Sequence, residues 1–417
     1  MLSDQVLDKV IERVTNRIEQ ANTYVLEQIG KKIKEIGALT PTSALQLQNI
    51  LKYGGDYQKI VQKIAEITRL NVQDIQKIFE SVAKSDYQFA GKFYKYRNKQ
   101  FIPYEYNYAL QNEVQAMANL TANTYLNISS TLAFAQKTPS GIIYTDLART
   151  YQETIDKAIT SISQGKTVFQ DEMYRTIKEL SNSGLKTIDY ASNRHYRLDS
   201  AVRMNLKDGL LNLHNGMQEI IAKDIDANGV EISVHEYSAI DHEKVQGRQF
   251  SNEEFEKLQN GEEATDYKKK KYTLDHDGKN GYRPISTMNC YHYIFSIVLG
   301  VSESEYSDKD LKEIIQRNKD GFELDGEHYS MYEGSQLQRE LELEIRKQKD
   351  TQIMAKESYN SANPEKKDKF KELIDESQHK ITQLTNKYKE LCDKSGLKPK
   401  TERMKVNSYK RVAISKL

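Results

Sequence analysis

From Leu2 onward the apolar residues Val6, Val10, Val14, Ile18, Ala21, Val25, Ile29, Ile33 and Ile36 recur every three or four positions, with polar residues between them. That period places them on one stripe of a long amphipathic helix, which Gly37 and Pro41 bring to a stop. The same period runs through residues 43–53, 56–69 and 71–95, where Asp56 and Asn71 stand as candidate N-caps able to take up free backbone N–H groups. Further helices are predicted at about 105–137, 145–164, 167–183 and 187–222, separated by Pro139-Ser140-Gly141, Gly165 and Gly184. No strand is predicted before Lys223.

The pattern changes at Asp224-Ile225-Asp226-Ala227-Asn228-Gly229, a turn-rich break followed by Val230, Ile232 and Val234 alternating with polar neighbours. That period of two marks a half-buried strand and opens a small α+β unit. Within it, Ser251-Asn252-Glu253-Glu254 fits a capping box, residues 275–281 read as a turn, and residues 321–331 read as a hairpin around Asp325-Gly326. Residues 290–299 suit a buried helix or strand. From Ser335 to about Cys392 helix formers return, broken around residues 358–364, which predicts two long helices. The fold class expected is therefore mainly α with a small α+β domain. Its divisions are a helical region at 1–223 with a break near 139–141, an α+β domain at 224–334, and a helical arm with a basic tail at 335–417.

Composition narrows the function classes. The chain has 417 residues, 38% apolar and 29% charged, with no Trp, six Pro and 61 Lys+Arg against 60 Asp+Glu. A net charge of +1 removes any whole-chain argument for nucleic acid or an anionic membrane, so such a partner must be met locally. The longest apolar stretch, residues 293–301, is about half the roughly 20 residues that span a bilayer. The first 20 residues alternate apolar with charged and do not read as a signal peptide, which leads us to expect assembly inside a cell. Two cysteines, Cys290 and Cys392, cannot staple a chain of this length and fit a reducing compartment. Charge is uneven at one end. Residues 394–417 carry eight cations, Lys394, Lys398, Lys400, Arg403, Lys405, Lys410, Arg411 and Lys416, against the single acid Glu402. Such a tail suits DNA phosphates, and equally suits an acidic protein surface.

Candidate chemistry gathers in the α+β unit. Gly165-Lys166-Thr167 is not a phosphate loop, because Thr160 stands where that motif needs Gly and no strand precedes it. His235-Glu236 lacks the second His of a helical zinc protease, and Cys290 lacks the Pro-Cys-x-x-Cys context of a zinc deaminase. No catalytic motif is complete and no enzymatic activity is expected. His235, His242, Cys290 and His292 are nonetheless four residues of the kind that bind zinc. Their spacing matches no standard zinc module, and a buried thiol among hydrogen-bonded imidazoles explains the same residues. Asp241, Gln246 and Arg248 are placed to orient an imidazole, to hold a phosphate, or to tie a loop to the sheet. Arg194, Arg197 and Arg203 recur at helical spacing and suit acidic partners on a neighbouring helix or a nucleic-acid backbone. Six of the 27 tyrosines lie between Tyr87 and Tyr108, as amphipathic rings do at interfaces or in a core without Trp.

The series Asp189-Tyr190-Ala191-Ser192 with Arg194, Leu198-Asp199-Ser200-Ala201-Val202-Arg203, Gly229 to His235, Asp241-His242, Gln246-Gly247-Arg248-Gln249-Phe250 and Asn289-Cys290-Tyr291-His292 resembles the phage minor capsid protein 2 family. That family is similar to Mu-type head morphogenesis proteins. Residues 336–349 and 380–403 also look like members from phages and prophages of Gram-positive bacteria. Asn193 departs from a Gly common in relatives, and Val245 from a frequent Trp. The resemblance implies a low-copy virion protein at the portal vertex of the head, assembled in the host bacterial cytoplasm. Its implied partners are portal, capsid or scaffold proteins and packaged DNA, and its implied roles are head assembly, DNA packaging or genome delivery. Two other readings stay open: a head-carried enzyme or effector acting through a zinc or polar site, and a non-specific DNA-binding module.

Overall fold

A computed structural model describes residues 4–37, 55–130, 132–138, 141–147, 149–151, 153–154, 156–157, 166–189, 194–274, 282–287, 290, 292–304, 306–359, 367–406 and 408–412. The expected first stripe forms helix α1 (Asp4–Gly37), whose Ile11, Val14, Ile18, Ala21, Val25, Ile29 and Ile33 are buried. Helix α2 (Gly55–Tyr96) then runs unbroken through residue 71, where a new helix start was expected. Asn71 does not cap its own backbone. Its amide donates to Tyr125 Oη at 2.9 Å and Arg17 reaches its side-chain oxygen at 3.4 Å, so its polar atoms serve neighbouring helices. The expected helix at 43–53, Gly165 and the turn at 275–281 lie outside the described residues.

A 3₁₀ turn (Tyr104–Tyr106) leads to α3 (Tyr108–Ser130), where Asn107 accepts the Leu110 N–H at 3.1 Å and caps the first turn. Here the structure corrects the expectation of an all-helical region to residue 223. Strands β1 (Leu132–Thr138), β2 (Gly141–Asp146), β3 (Lys186–Asp189) and β4 (Arg194–Arg197) form an antiparallel sheet in the order β2-β1-β3-β4. The first pair is a hairpin registered from Ala133↔Asp146 to Thr138↔Gly141. Its alanines and glutamine are compatible with a helix, but Ile142, Ile143 and Tyr144 favour the partner strand, and pairing overrides local propensity. Helix α4 (Lys166–Ser183) lies between β2 and β3 in the chain, while β1 and β3 pair directly in the sheet. Helix α5 (Leu198–Asp224) begins eleven residues later in the chain than expected.

The small α+β unit contains β5 (Gly229–Ile232), β6 (Gln249–Ser251), α6 (Asn252–Gln259), β7 (Ala264–Thr265), β8 (Lys271–Tyr272), β9 (Ile294–Ile297) and α7 (Asp308–Asp320). Strands β6 and β9 flank β5, both antiparallel to it. Ser251 caps α6 by accepting from Glu254 N, while the Glu254 carboxylate turns to Thr265 N. The hairpin of β10 (Phe322–Leu324) and β11 (Glu327–Tyr329) turns at Asp325 and Gly326, both at positive φ, as expected.

The two long C-terminal helices, α8 (Met331–Tyr359) and α9 (Lys367–Ser395), pair with each other, and α8 lies along α1 and α4. Met354, Ala355, Phe370 and Leu373 belong to the same apolar core as Ile11 and Val14. At the crossing of α1, α5 and α8, Arg346 pairs with Glu19 at 2.8 Å and Asp199 at 2.5 Å, and Arg197 with Asp199 at 3.2 Å. Arg203 pairs with Glu12 at 2.5 Å, the acidic partner on a neighbouring helix that its spacing suited. For Arg403 the expectation is corrected. It is buried, and its guanidinium lies 3.0 Å from Glu12 and 3.9 Å from Glu342, instead of extending from a solvated tail. Lys398, Lys405, Lys410 and Arg411 remain exposed and Lys400 half-buried.

Candidate metal centre

The sheet itself creates the site. Because β6 and β9 both run antiparallel to β5, the end of β5 and the starts of β6 and β9 share one edge. The loop between β5 and β6 carries His235, Asp241, His242 and Gln246 to that edge, and the segment before β9 brings Arg283, Cys290 and His292. Gly247 lets the first loop return: its φ is +65°, its N–H donates to Ile232 O at 2.8 Å, and a Cβ there would stand 2.5 Å from Leu311 Cδ2. Behind the sheet, α5 fixes the second segment. His214 Nε2 lies 2.9 Å from Ile294 O, Asn215 exchanges hydrogen bonds with Ser286, and Gln218 accepts the Ser296 N–H.

His242, Cys290 and His292 come together in the interior, with one ligand atom of each within 4.8 Å of the others. Cys290 Sγ is 3.4 Å from His242 Nδ1 and 3.6 Å from His292 Nδ1. The outer nitrogens are held as well. His242 Nε2 meets Arg283 O at 2.6 Å, and a carbonyl only accepts, so Nε2 carries the hydrogen. The Gln246 side-chain oxygen accepts the His235 backbone N–H at 2.9 Å, which fixes the orientation of its amide, and His292 Nε2 approaches that same oxygen at 3.4 Å. In their neutral forms both imidazoles therefore turn a lone pair, at Nδ1, towards the sulfur.

The fourth expected ligand is not part of this trio. The His235 ring centroid is 6.2 Å from that of His292, and His235 Nδ1 accepts the Tyr237 N–H at 3.2 Å. His235, His292 and Arg283 line a cleft of about 240 Å³, with Tyr237, Tyr332 and Arg339 opposite or beside them. Asp241 holds Arg283 through contacts of 2.8 and 3.0 Å and comes within 3.7 Å of His242 Nε2. Arg248 turns away to Asp308 and packs over Tyr272, outside the centre. Asn289 lies outside the described residues, as does the side chain of Arg194. Sequence reasoning missed Arg283, Ser286, His214, Asn215 and Gln218. Their contribution is a carbonyl, an N–H or a cross-element contact, for which a linear sequence carries no signal.

Burial works against charge on His242, but the Cys290 sulfur, the Arg283 carbonyl and Asp241 outweigh it and raise the imidazole above its ordinary range. Burial likewise pushes the Cys290 thiol up, and its contacts with His242 and with neighbouring backbone amides bring it below its usual value. Burial, reinforced by His242, His235 and Arg283, holds His292 well below the imidazole range, so it is neutral. Without a metal the group is a buried thiol whose sulfur has an imidazole Nδ1 on each side, at 3.4 and 3.6 Å. With a metal it is a thiolate and two imidazoles, a set that suits zinc.

The fold and this edge of the sheet now have a family to be set against. The model of the phage minor capsid protein 2 family matches residues 2–393, and the chain belongs to that family. The match runs from α1 through the α+β unit into α9, so it covers the helical framework and the His242, Cys290 and His292 cluster together. No curated protein and no solved structure gives a significant match. Among the described residues no helix is long and apolar enough to cross a membrane.

Proposed function

We propose that this minor capsid protein is a low-copy component of the head at the portal vertex, acting in head assembly, DNA packaging or genome delivery through protein contacts. The observation that carries the reading is the family match across residues 2–393, which takes in nearly every element of the chain. A segment of exposed apolar and aromatic side chains supports it. Ile102, Tyr106 and Tyr108 stand 45%, 71% and 71% exposed on the connection from α2 to α3, where amphipathic rings await burial by a protein partner. The exposed cations Lys398, Lys405, Lys410 and Arg411 suit contact with DNA phosphates as a subsidiary role.

The test is quantitative mass spectrometry of purified virions with cross-linking, beside phage that lack the chain. The expected result is a copy number far below that of the major capsid protein, cross-links to the portal, and heads that fail in packaging or delivery. Virions that assemble, package and infect normally without the chain would overturn the reading.

A further inference from the structure

We propose that His242 Nδ1, Cys290 Sγ and His292 Nδ1 bind one zinc ion, whose fourth position opens on the cleft beside His235 and is filled by water or a small anion. The inference stands independently of where the protein sits in the head. Three observations carry it. The first is spacing. A tetrahedral zinc with sulfur at about 2.3 Å and nitrogen at about 2.0–2.1 Å separates those ligand atoms by roughly 3.6 Å. The two sulfur–nitrogen distances here are 3.4 and 3.6 Å.

The second is the outer shell. Each imidazole is fixed through its far nitrogen, His242 by the Arg283 carbonyl and His292 by Gln246, which leaves the near nitrogen as a donor pair. A catalytic thiol and imidazole pair needs one histidine at the sulfur. It gives no task to a second one held 3.6 Å away, and Cys290 is only 7% exposed, too enclosed to attack a substrate carbonyl. Two imidazoles and a thiolate converging on one point are what a metal requires.

The third is the open side. His292 forms part of the cleft wall, and His235 lies there without reaching the trio. Arg283 and Arg339 line the same cleft, and among the described residues no carboxylate does, so its chemistry favours water or an anion as the fourth ligand. The ion would tie the loop before β6 to the segment before β9. Zinc binding would thereby also order the edge of the sheet, because a thiolate and two imidazoles from separate segments must be brought together.

Metal analysis of the full chain purified without chelator, followed by cobalt substitution, tests this directly. The expected outcome is about one zinc per chain and a thiolate-to-cobalt charge-transfer absorption. Cys290→Ser and His292→Ala should lose the zinc, Cys392→Ser should keep both zinc and absorption, and Gln246→Ala should bind roughly 10–100-fold more weakly. His235→Ala should retain zinc while changing the cobalt ligand-field spectrum; loss of the ion in this variant would overturn the open fourth position. Wild-type protein with a native circular dichroism spectrum that takes up neither zinc nor cobalt would overturn the site itself. So would cobalt binding without sulfur charge transfer, a result that holds even where the variants fail to fold.

Discussion

Arg197 and Arg346 share an enclosed space with Glu19, Asp199 and Asp350, two guanidinium groups among three carboxyls. With all five ionised the cluster would carry an excess negative charge away from water, so one carboxyl retains its proton. Desolvation raises both Glu19 and Asp350, Asp350 to about 7, so the proton belongs to this pair, while Arg346 and Arg197 keep Asp199 below the carboxylate range despite its burial. The consequence for stability follows from proton counting. Between about pH 4 and 7 the folded chain holds a proton on the Glu19 and Asp350 pair that the unfolded chain has released, so this contribution is present at low pH and lost as pH rises. Thermal melts of Asp350→Asn and wild type across this range should show the variant gaining on the wild type with rising pH, and a constant difference would refute the assignment. At this scale the sequence offered the residue types. It gave Arg203 a choice of partners, and only the placement of Glu12 decided it.

At the scale of elements, close helix contact depends on one small residue. Gly209 of α5 faces Thr121 of α3 and Phe79 of α2, and a Cβ there would stand 2.2 Å from Thr121 Oγ1 and 2.9 Å from Phe79 Cζ. Glycine is costly inside a helix, and it is tolerated here because a larger residue would force three helices apart. Gly209→Val should therefore destabilise by about 1–3 kcal/mol in urea unfolding, although Val is the better helix former. The same helix holds β9 and Ser286 through His214, Asn215 and Gln218, so it ties the α+β unit to the helical core. The periodicity of α1, the N-cap of α6 and the turn of the β10–β11 hairpin were legible because each depends on residues within a few positions. Strands β1 to β4 were not. The partner of β1 on one side begins at Lys186, some fifty residues on, and no local pattern encodes that pairing.

Across the whole molecule, the two ends of the sequence meet in one core. Helices α1 and α8 pack along each other, and Arg403 returns to Glu12 across 391 positions. Amides of α1 and α8 should accordingly exchange with a common opening free energy, and a clearly lower value for α8 would show that the C-terminal helices form a separate unit. Arg403→Met leaves Glu12 and Glu342 with less compensation in the interior and should cost about 3–5 kcal/mol in denaturant unfolding. Its effect on salt-dependent DNA binding should be small, since Arg403 is not at the surface. By itself the sequence determined the helical class, the strand that follows the turn at residues 224–229 and the set of candidate metal ligands, because periodicity, turn chemistry and residue type are local properties. Only the tertiary structure decided that three of those four ligands converge, which nitrogen each imidazole presents, and which basic residues are buried as ion pairs. Those outcomes depend on distances between groups far apart in the chain, and such distances exist only once the elements have packed.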